Sequence, residues 1–181
     1  ESFCFGSNLV VDFSANSVAA LNCEEVVYTA SVTGGSPSSY SWDFGAGAKP
    51  AIASGVGPHI VEYLSVGNKT VSLTADGVNE SKSSYVSITK DNSKAVTALV
   101  NLNNTPTCEG ELVELNSTVS NGGSSPVYSW LVNGVEKGVN STFSSSALLN
   151  DDEVTLKVTS DDECSLPDTV LSAVEIISLS A

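Results

Sequence analysis

Tyr40-Ser41-Trp42-Asp43-Phe44-Gly45 and Tyr128-Ser129-Trp130-Leu131-Val132-Asn133-Gly134 decide the fold of this chain. Both open on Tyr-Ser-Trp, 88 residues apart (Tyr40 to Tyr128), in a chain of 181 residues. A repeat at half the chain length points to two tandem copies of one module. We place the copies at 1–91 and 92–181, each within the usual size of a domain. Within the two stretches, Tyr40, Trp42 and Phe44, and then Tyr128, Trp130 and Val132, fall on alternate positions. Alternation of this kind is the mark of a strand with one buried face.

Working outward, helical periodicity is nearly absent. Short runs rich in Val, Thr, Ser and Tyr are separated by Gly, Asn, Pro and Asp, as in an all-β sandwich. The second copy predicts strands at 96–102, 112–119, 127–132 and 169–177, with Val154, Leu156 and Val158 alternating on another. Asn133-Gly134 between apolar runs is a hairpin signal, because both residues accept positive φ. In the first copy the matching strands fall at 11–15, 26–32, 40–44, 71–75 and 85–89. The polar stretch 90–94 carries no apolar anchor and reads as the linker. The fold class is therefore all-β, two tandem immunoglobulin-like sandwiches.

Charge narrows the partners. Twenty-one acidic residues face seven basic ones, all lysine, for a net charge of −14. Phosphate recognition draws on clustered Arg and Lys, so nucleic acid is not an expected partner. No apolar run approaches the roughly 18 residues of a membrane span, so no membrane insertion is expected in this segment. The absence of methionine, even at position 1, suggests a piece of a longer protein. Four cysteines without a Cys-x-x-Cys pair, and a single histidine, argue for disulfides and an extracellular setting rather than zinc.

Tyr40-Ser41-Trp42-Asp43-Phe44-Gly45 resembles the signature of PKD domains, immunoglobulin-like modules that usually read Trp-Asp-Phe-Gly-Asp-Gly; Ala46 stands at the second Asp. The run 71–75 also suits that family. The second copy departs further. With Cys108-Glu109-Gly110, Tyr128-Ser129-Trp130 and Cys164, it is similar to PKD-like repeats of very large Bacteroidota surface proteins, including gliding-motility adhesins of the SprB type secreted by the type IX system. The resemblance implies a PKD-type fold and a non-catalytic spacer or adhesive role. Related modules also act as spacers in secreted proteases and chitinases, so fold analogy specifies function weakly.

Residue by residue, little suggests catalysis. Trp42 and Trp130 can be read as sugar-stacking platforms, but a Trp on the central strand of a sandwich is usually a core residue, and both lie in strictly alternating runs. His59 is read as a bland surface histidine, with no partners in sequence for a triad. No nucleophile elbow, phosphate loop or zinc-protease motif occurs. Asp151-Asp152-Glu153 and Asp161-Asp162-Glu163 are candidates for calcium, which takes several loop oxygens. They flank one strand, roughly 20 Å apart, so they cannot share an ion. A solvated loop face is the preferred reading, and no cofactor beyond calcium is expected. Asp43 is expected to cap the turn after its strand. Asp168-Thr169-Val170 matches the Bacteroidota O-glycosylation pattern, making Thr169 a candidate. Asn68, Asn79, Asn116 and Asn140 begin Asn-x-Ser/Thr triplets that matter only in a eukaryotic host, and Asn116 is placed mid-strand.

Four cysteines allow three pairings. In an immunoglobulin-like strand order, the loop holding Cys108 and the loop holding Cys164 lie at opposite ends of their module, roughly 20 Å apart. A disulfide needs Cα atoms within about 7 Å. The same topology sets Cys23 and Cys164 toward the junction, where a bridge between modules can form. Cys108 then awaits a following module or pairs with Cys4. The alternative, Cys4–Cys23 with Cys108–Cys164, stays open if the topology is looser. The expected partners are neighbouring repeat modules and, as a further option, surface polysaccharide.

Overall fold

Alternating burial builds the first unit from β1 (Val10–Ala15), β2 (Ala19–Leu21), β3 (Glu25–Thr33), β4 (Tyr40–Asp43), β5 (Ala48–Lys49), β6 (Ile52–Ser54), β7 (His59–Tyr63), β8 (Gly67–Ala75) and β9 (Val78–Thr89). The computed structural model describes residues 8–180. The chain divides into two units, Glu1–Asp91 and Asn92–Ala181. In the first, one sheet runs β1-β3-β7-β5 and the other β2-β9-β8-β4-β6. The pairings are antiparallel except β2 on β9, which is parallel.

The inner faces follow the two-residue period. Phe13, Val26, Tyr28, Val61 and Tyr63 from one sheet meet Trp42, Val71, Leu73 and Val86 from the other. Phe44, just past β4, is also fully buried. Trp42 meets Phe13 edge-on at 5.5 Å and stacks on Phe44 at 5.6 Å. Two buried phenols need polar partners, and they supply each other: their oxygens lie 2.8 Å apart. Tyr63 donates to the Phe44 carbonyl at 2.9 Å, so Tyr28 donates to Tyr63. Burial, and the bond to Tyr63, hold the Tyr28 phenol well above its ordinary pKa.

Lys82 on β9 ties the two sheets together. It donates to the Phe13 carbonyl, pairs with Asp12 at 2.7 Å, and lies 4.6 Å and 4.9 Å from the Phe13 and Tyr85 ring centres.

The second unit comprises β10 (Thr97–Leu102), β11 (Val113–Ser120), β12 (Val127–Val132), β13 (Val135–Gly138), β14 (Thr142–Ser145), β15 (Glu153–Thr159), β16 (Thr169–Leu171) and β17 (Glu175–Ile176). Its sheets are β10-β11-β14 and β13-β12-β15-β16, with β17 also beside β15. The order repeats that of the first unit: β10-β11-β14 corresponds to β1-β3-β7, and β12-β15-β16 to β4-β8-β9. Both are immunoglobulin-like sandwiches, and the protein is all-β. Asn133 (φ 50°) and Gly134 (φ 79°) form the two-residue turn from β12 to β13. Positive φ at both positions matches the twist of the flanking strands.

One expectation changes in detail. The single strand expected at 169–177 is split into β16 and β17, both paired to β15. The linker stretch 90–94 holds the division between the units, and within it Asn92–Lys94 forms a 3₁₀ turn. On one side of it the buried Asn22 accepts the Asp91 N–H at 2.7 Å. On the other, the Asn121 amide donates to the Ser93 and Ala95 carbonyls at 2.8 Å and 2.9 Å. Side-chain amides do there what apolar anchors do elsewhere.

Trp42→Ala and Trp130→Ala are each expected to cost about 3–5 kcal/mol of stability, the usual penalty for emptying an aromatic site. Urea unfolding of the two variants measures it; a loss under about 1 kcal/mol in either is inconsistent with a close-packed indole.

Candidate functional site

The two indoles do not reach solvent. Trp42 is 1% exposed and Trp130 is fully buried. Each N–H is spent on a loop carbonyl of its own unit: Trp42 Nε1 donates to Gly55 at 3.0 Å and Trp130 Nε1 to Asn140 at 2.8 Å. Neither ring is available to stack on a sugar. A cleft of about 500 Å³ lies between the edges of β13 and β14, lined in part by Val132, Val135, Lys137 and Leu148. Phe143, the aromatic ring lining it, is itself buried against Trp130.

His59 corrects the bland-surface reading. It is half-buried, with its ring edge-on to Trp42 at 5.4 Å and 6.0 Å from Phe44. Its Nε2 lies 3.1 Å from the same Gly55 carbonyl that accepts the Trp42 N–H. The ring roofs the core.

Asp43 takes the Gly45 N–H at 2.8 Å and so caps the turn after β4. Gly45 has φ 82°, and a Cβ there would stand 2.5 Å from the Thr70 carbonyl oxygen. The Phe-Gly pair of the motif thus lets the chain turn against β8.

The acidic clusters are not gathered around a common point. Among the described residues, no group of three or more His, Cys, Asp or Glu side chains is placed to hold a metal. Asp152 accepts the Asn133 amide and the Leu149 N–H, at 2.7 Å and 2.9 Å. Asp151 accepts the Asn150 amide at 2.9 Å, and Asp162 accepts the Cys164 N–H at 2.9 Å. Glu153 and Glu163 are exposed. The described Asp carboxylates of these loops bond asparagine side-chain amides and backbone N–H groups nearby.

Asp161 belongs to a device the sequence reading missed. Its carboxylate accepts the Ser125 N–H at 3.1 Å and the Ser124 hydroxyl at 3.0 Å, clamping the loop before β12 onto the end of β15. Asp76 does the same in the first unit. It accepts N–H and hydroxyl bonds from both Ser38 and Ser39, at 2.9 Å to 3.1 Å. The signal was present in the repeat: Ser-Ser ahead of Tyr-Ser-Trp, and an Asp after the following long strand. The bonds from Ser38 and Ser39 pull the Asp76 carboxyl down to about 2. Ser125 and Ser124 lower Asp161.

Thr169 is half-buried on β16, its hydroxyl 3.1 Å from that of Thr159. Asn116 lies within β11 and donates to Asn103 at 3.0 Å, while Asn68, Asn79 and Asn140 are exposed.

Cys23 and Cys164 are both disulfide-bonded. Cys108 is an exposed free thiol, which overturns the Cys108–Cys164 pairing of the intra-module alternative. The physical reason is distance along β15. Cys108 sits at the end where Glu109 accepts the Asn150 N–H, ahead of β15, whereas Cys164 follows it. Cys4 lies outside the described residues.

Each bonded cysteine stands at a particular end of its own unit. Cys23 N–H donates to the Tyr63 carbonyl, and the adjacent Asn22 N–H to Thr89, where the chain leaves the first unit. Cys164 lies in the loop after β15. In that loop Ser160 donates to the Asn121 carbonyl, and Asn121 in turn holds Ser93 and Ala95, where the chain joins the second unit.

No protein-family model matches the chain, and no curated protein does. Solved structures that resemble it include murine CEACAM1b, with 13% identity over 94% of this chain and 100% of that one, at a TM-score of 0.42. The fibronectin(III)-like modules of Clostridium thermocellum CbhA show 14% identity over 93% and 95%, at 0.34. The N-terminal four Ig domains of Dscam1 isoform 6.9 show 10% identity over 90% of this chain and 43% of that one, at 0.41. The strand order itself carries the immunoglobulin-like assignment. Disulfide-bonded cysteines fit a secreted or extracellular domain. Among the described residues, no helix is long and apolar enough to cross a membrane.

The serine clamp gives a pH signature. Because the folded Asp76 carboxyl is depressed from 3.8 to about 2, its stabilisation is complete above the ordinary value and is lost as pH falls through about 2. Carboxyl NMR should titrate Asp76 near 2, and Asp76→Ala should speed amide exchange at Ser38 and Ser39. A midpoint at the ordinary value with unchanged exchange would contradict the clamp.

Proposed function

We propose that this chain is a non-catalytic repeat segment of a large extracellular surface adhesin, serving as a stiff spacer between neighbouring modules of the same kind. The observation that carries it is the placement of the two disulfide-bonded cysteines, each at the end of its unit where the chain passes to the other. Cys23 and Cys164 bonded to one another would convert a short polypeptide crossing into a doubly tethered one. Closing a long loop in this way restricts the unfolded ensemble by about 3–5 kcal/mol in the chain-entropy model. A tether that limits hinge motion suits a filament that transmits force, and does nothing for catalysis.

Other features support the same reading. The indoles are interior, the Asp76 and Asp161 carboxylates close loops, and the lone histidine packs on the core. A net charge of −14 keeps such rods from self-association. The Trp-Asp-Phe-Gly signature of the first unit and the Cys-Trp-Cys pattern of the second suit a PKD-type module of a gliding-motility adhesin exported by the type IX system. Polysaccharide contact, on this reading, falls to other modules of the array.

Two measurements test the proposal. Antibodies raised against the chain should label intact cells that produce the parent protein; labelling only after lysis overturns the surface assignment. Lysine-specific cleavage within 90–94 should leave the halves joined until reductant is added. Halves that separate without reductant eliminate the Cys23–Cys164 bridge.

A further inference from the structure

Cys108 is the counterpart of Cys23, by structure as well as by sequence. Each sits just ahead of the second strand of its main sheet, β3 or β11. The segment around each lies parallel to the last stretch of its unit: Leu21 pairs with Thr89, and Cys108 bridges Ser180. In both, a glutamate braces the turn by accepting an N–H from just before the cysteine. Glu24 accepts Leu21 N–H at 2.7 Å, and Glu111 accepts Thr107 N–H at 2.7 Å. A backbone bond closes each turn, Glu24 N–H to Leu21 and Glu111 N–H to Cys108, at 3.2 Å and 3.3 Å. The two cysteines differ in chemical state: Cys23 is disulfide-bonded and Cys108 is a free, exposed thiol.

We infer that Cys108 is a covalent docking point for a further module of this kind, its partner being the cysteine that module carries in the loop equivalent to that of Cys164. The inference rests on the Cys23–Cys164 pairing proposed above and extends it by one repeat. The partner follows from the placement. Glu109 N–H donates to the Ser180 carbonyl and Ser180 N–H to Thr107, so the Cys108 turn flanks residue 180 as the Cys23 turn flanks Thr89. On the proposed Cys23–Cys164 pairing, a module attached after residue 181 would bring its own equivalent of Cys164 to Cys108.

The bond balances in the ordinary way. Two thiols give up two protons and two electrons. A disulfide oxidant takes both and is itself reduced to two thiols; in an extracellular setting this is glutathione disulfide or the disulfide form of a thiol–disulfide oxidoreductase.

The test extends the full chain at Ala181 with a second copy of residues 92–181, folded in a glutathione redox buffer. Native alkylation with iodoacetamide, then non-reducing peptide mapping, reads every cysteine. In the original chain Cys108 is expected to be alkylated. In the extended chain it should lose that reactivity and appear linked to the appended copy's Cys164, and Cys164→Ser in that copy should restore alkylation. Cys108 still alkylated in the extended chain, or joined to Cys4, overturns the inference. The same map reports Cys23 separately. If Cys23 is joined to Cys164 while Cys108 stays reactive, only the further inference fails. If Cys23 is joined to Cys4, the underlying pairing fails.

Discussion

An indole buried in a module of about ninety residues imposes a condition that the rest of the sandwich must meet. Its apolar bulk fills the gap between the sheets, but its N–H needs an acceptor away from water. Both units supply one from a loop carbonyl, Gly55 or Asn140, just past the edge strand paired to the indole's own, β6 or β13. The aromatic neighbours are then fixed by contact: Phe13 and Phe44 around Trp42, and Phe143 over Trp130. In the first unit the requirement spreads further. The Phe44 carbonyl accepts from Tyr63, which accepts from Tyr28, and His59 roofs the same ring pair. One indole thus recruits a loop, a phenol pair and an imidazole.

How much of this can be read from the chain depends on whether a feature repeats with a period. The strand 127–132 and the Asn133-Gly134 turn were legible because alternation and turn chemistry are both local. The central strands of both units were legible for the same reason. Ala19–Leu21 was not, because three small or apolar residues show no alternation and its parallel pairing to β9 is set by tertiary context. β5 and β6 are equally short and sit among Gly, Ala and Ser. The break between β16 and β17 was hidden by an apolar run that spans both.

The site was less legible than the fold, for a physical reason. An exposed carboxylate in an acidic chain looks the same in sequence whether it binds a cation, faces water or closes a loop. Only the serines arriving from 37 or 38 residues away show that Asp76 is a clamp. Asp161, with Asp162 and Glu163, was read as a solvated loop face or a calcium candidate because its sequence neighbours are acidic, although its bonding partners are Ser124 and Ser125. His59 was read as a bland surface residue because sequence shows it no partners, yet the strand it opens sets its ring edge-on to Trp42.

The two units agree in the turn ahead of their second long strand and differ in the loop after β8 or β15. The turn with a cysteine braced by a following glutamate is present in both. The loop after the long strand is a two-residue hairpin in the first unit, Asp76-Gly77 between β8 and β9, and a longer excursion in the second, between β15 and β16. Only the longer loop carries a cysteine, and Asp162 holds that cysteine's N–H while the neighbouring Asp161 pins the loop to Ser124 and Ser125. The clamp therefore predates the covalent link in structural logic: it is common to both units, and the second adds a sulfur to a loop already anchored. The second unit thus carries a free thiol ahead of β15 and a bonded cysteine after it, so its two ends are chemically distinct.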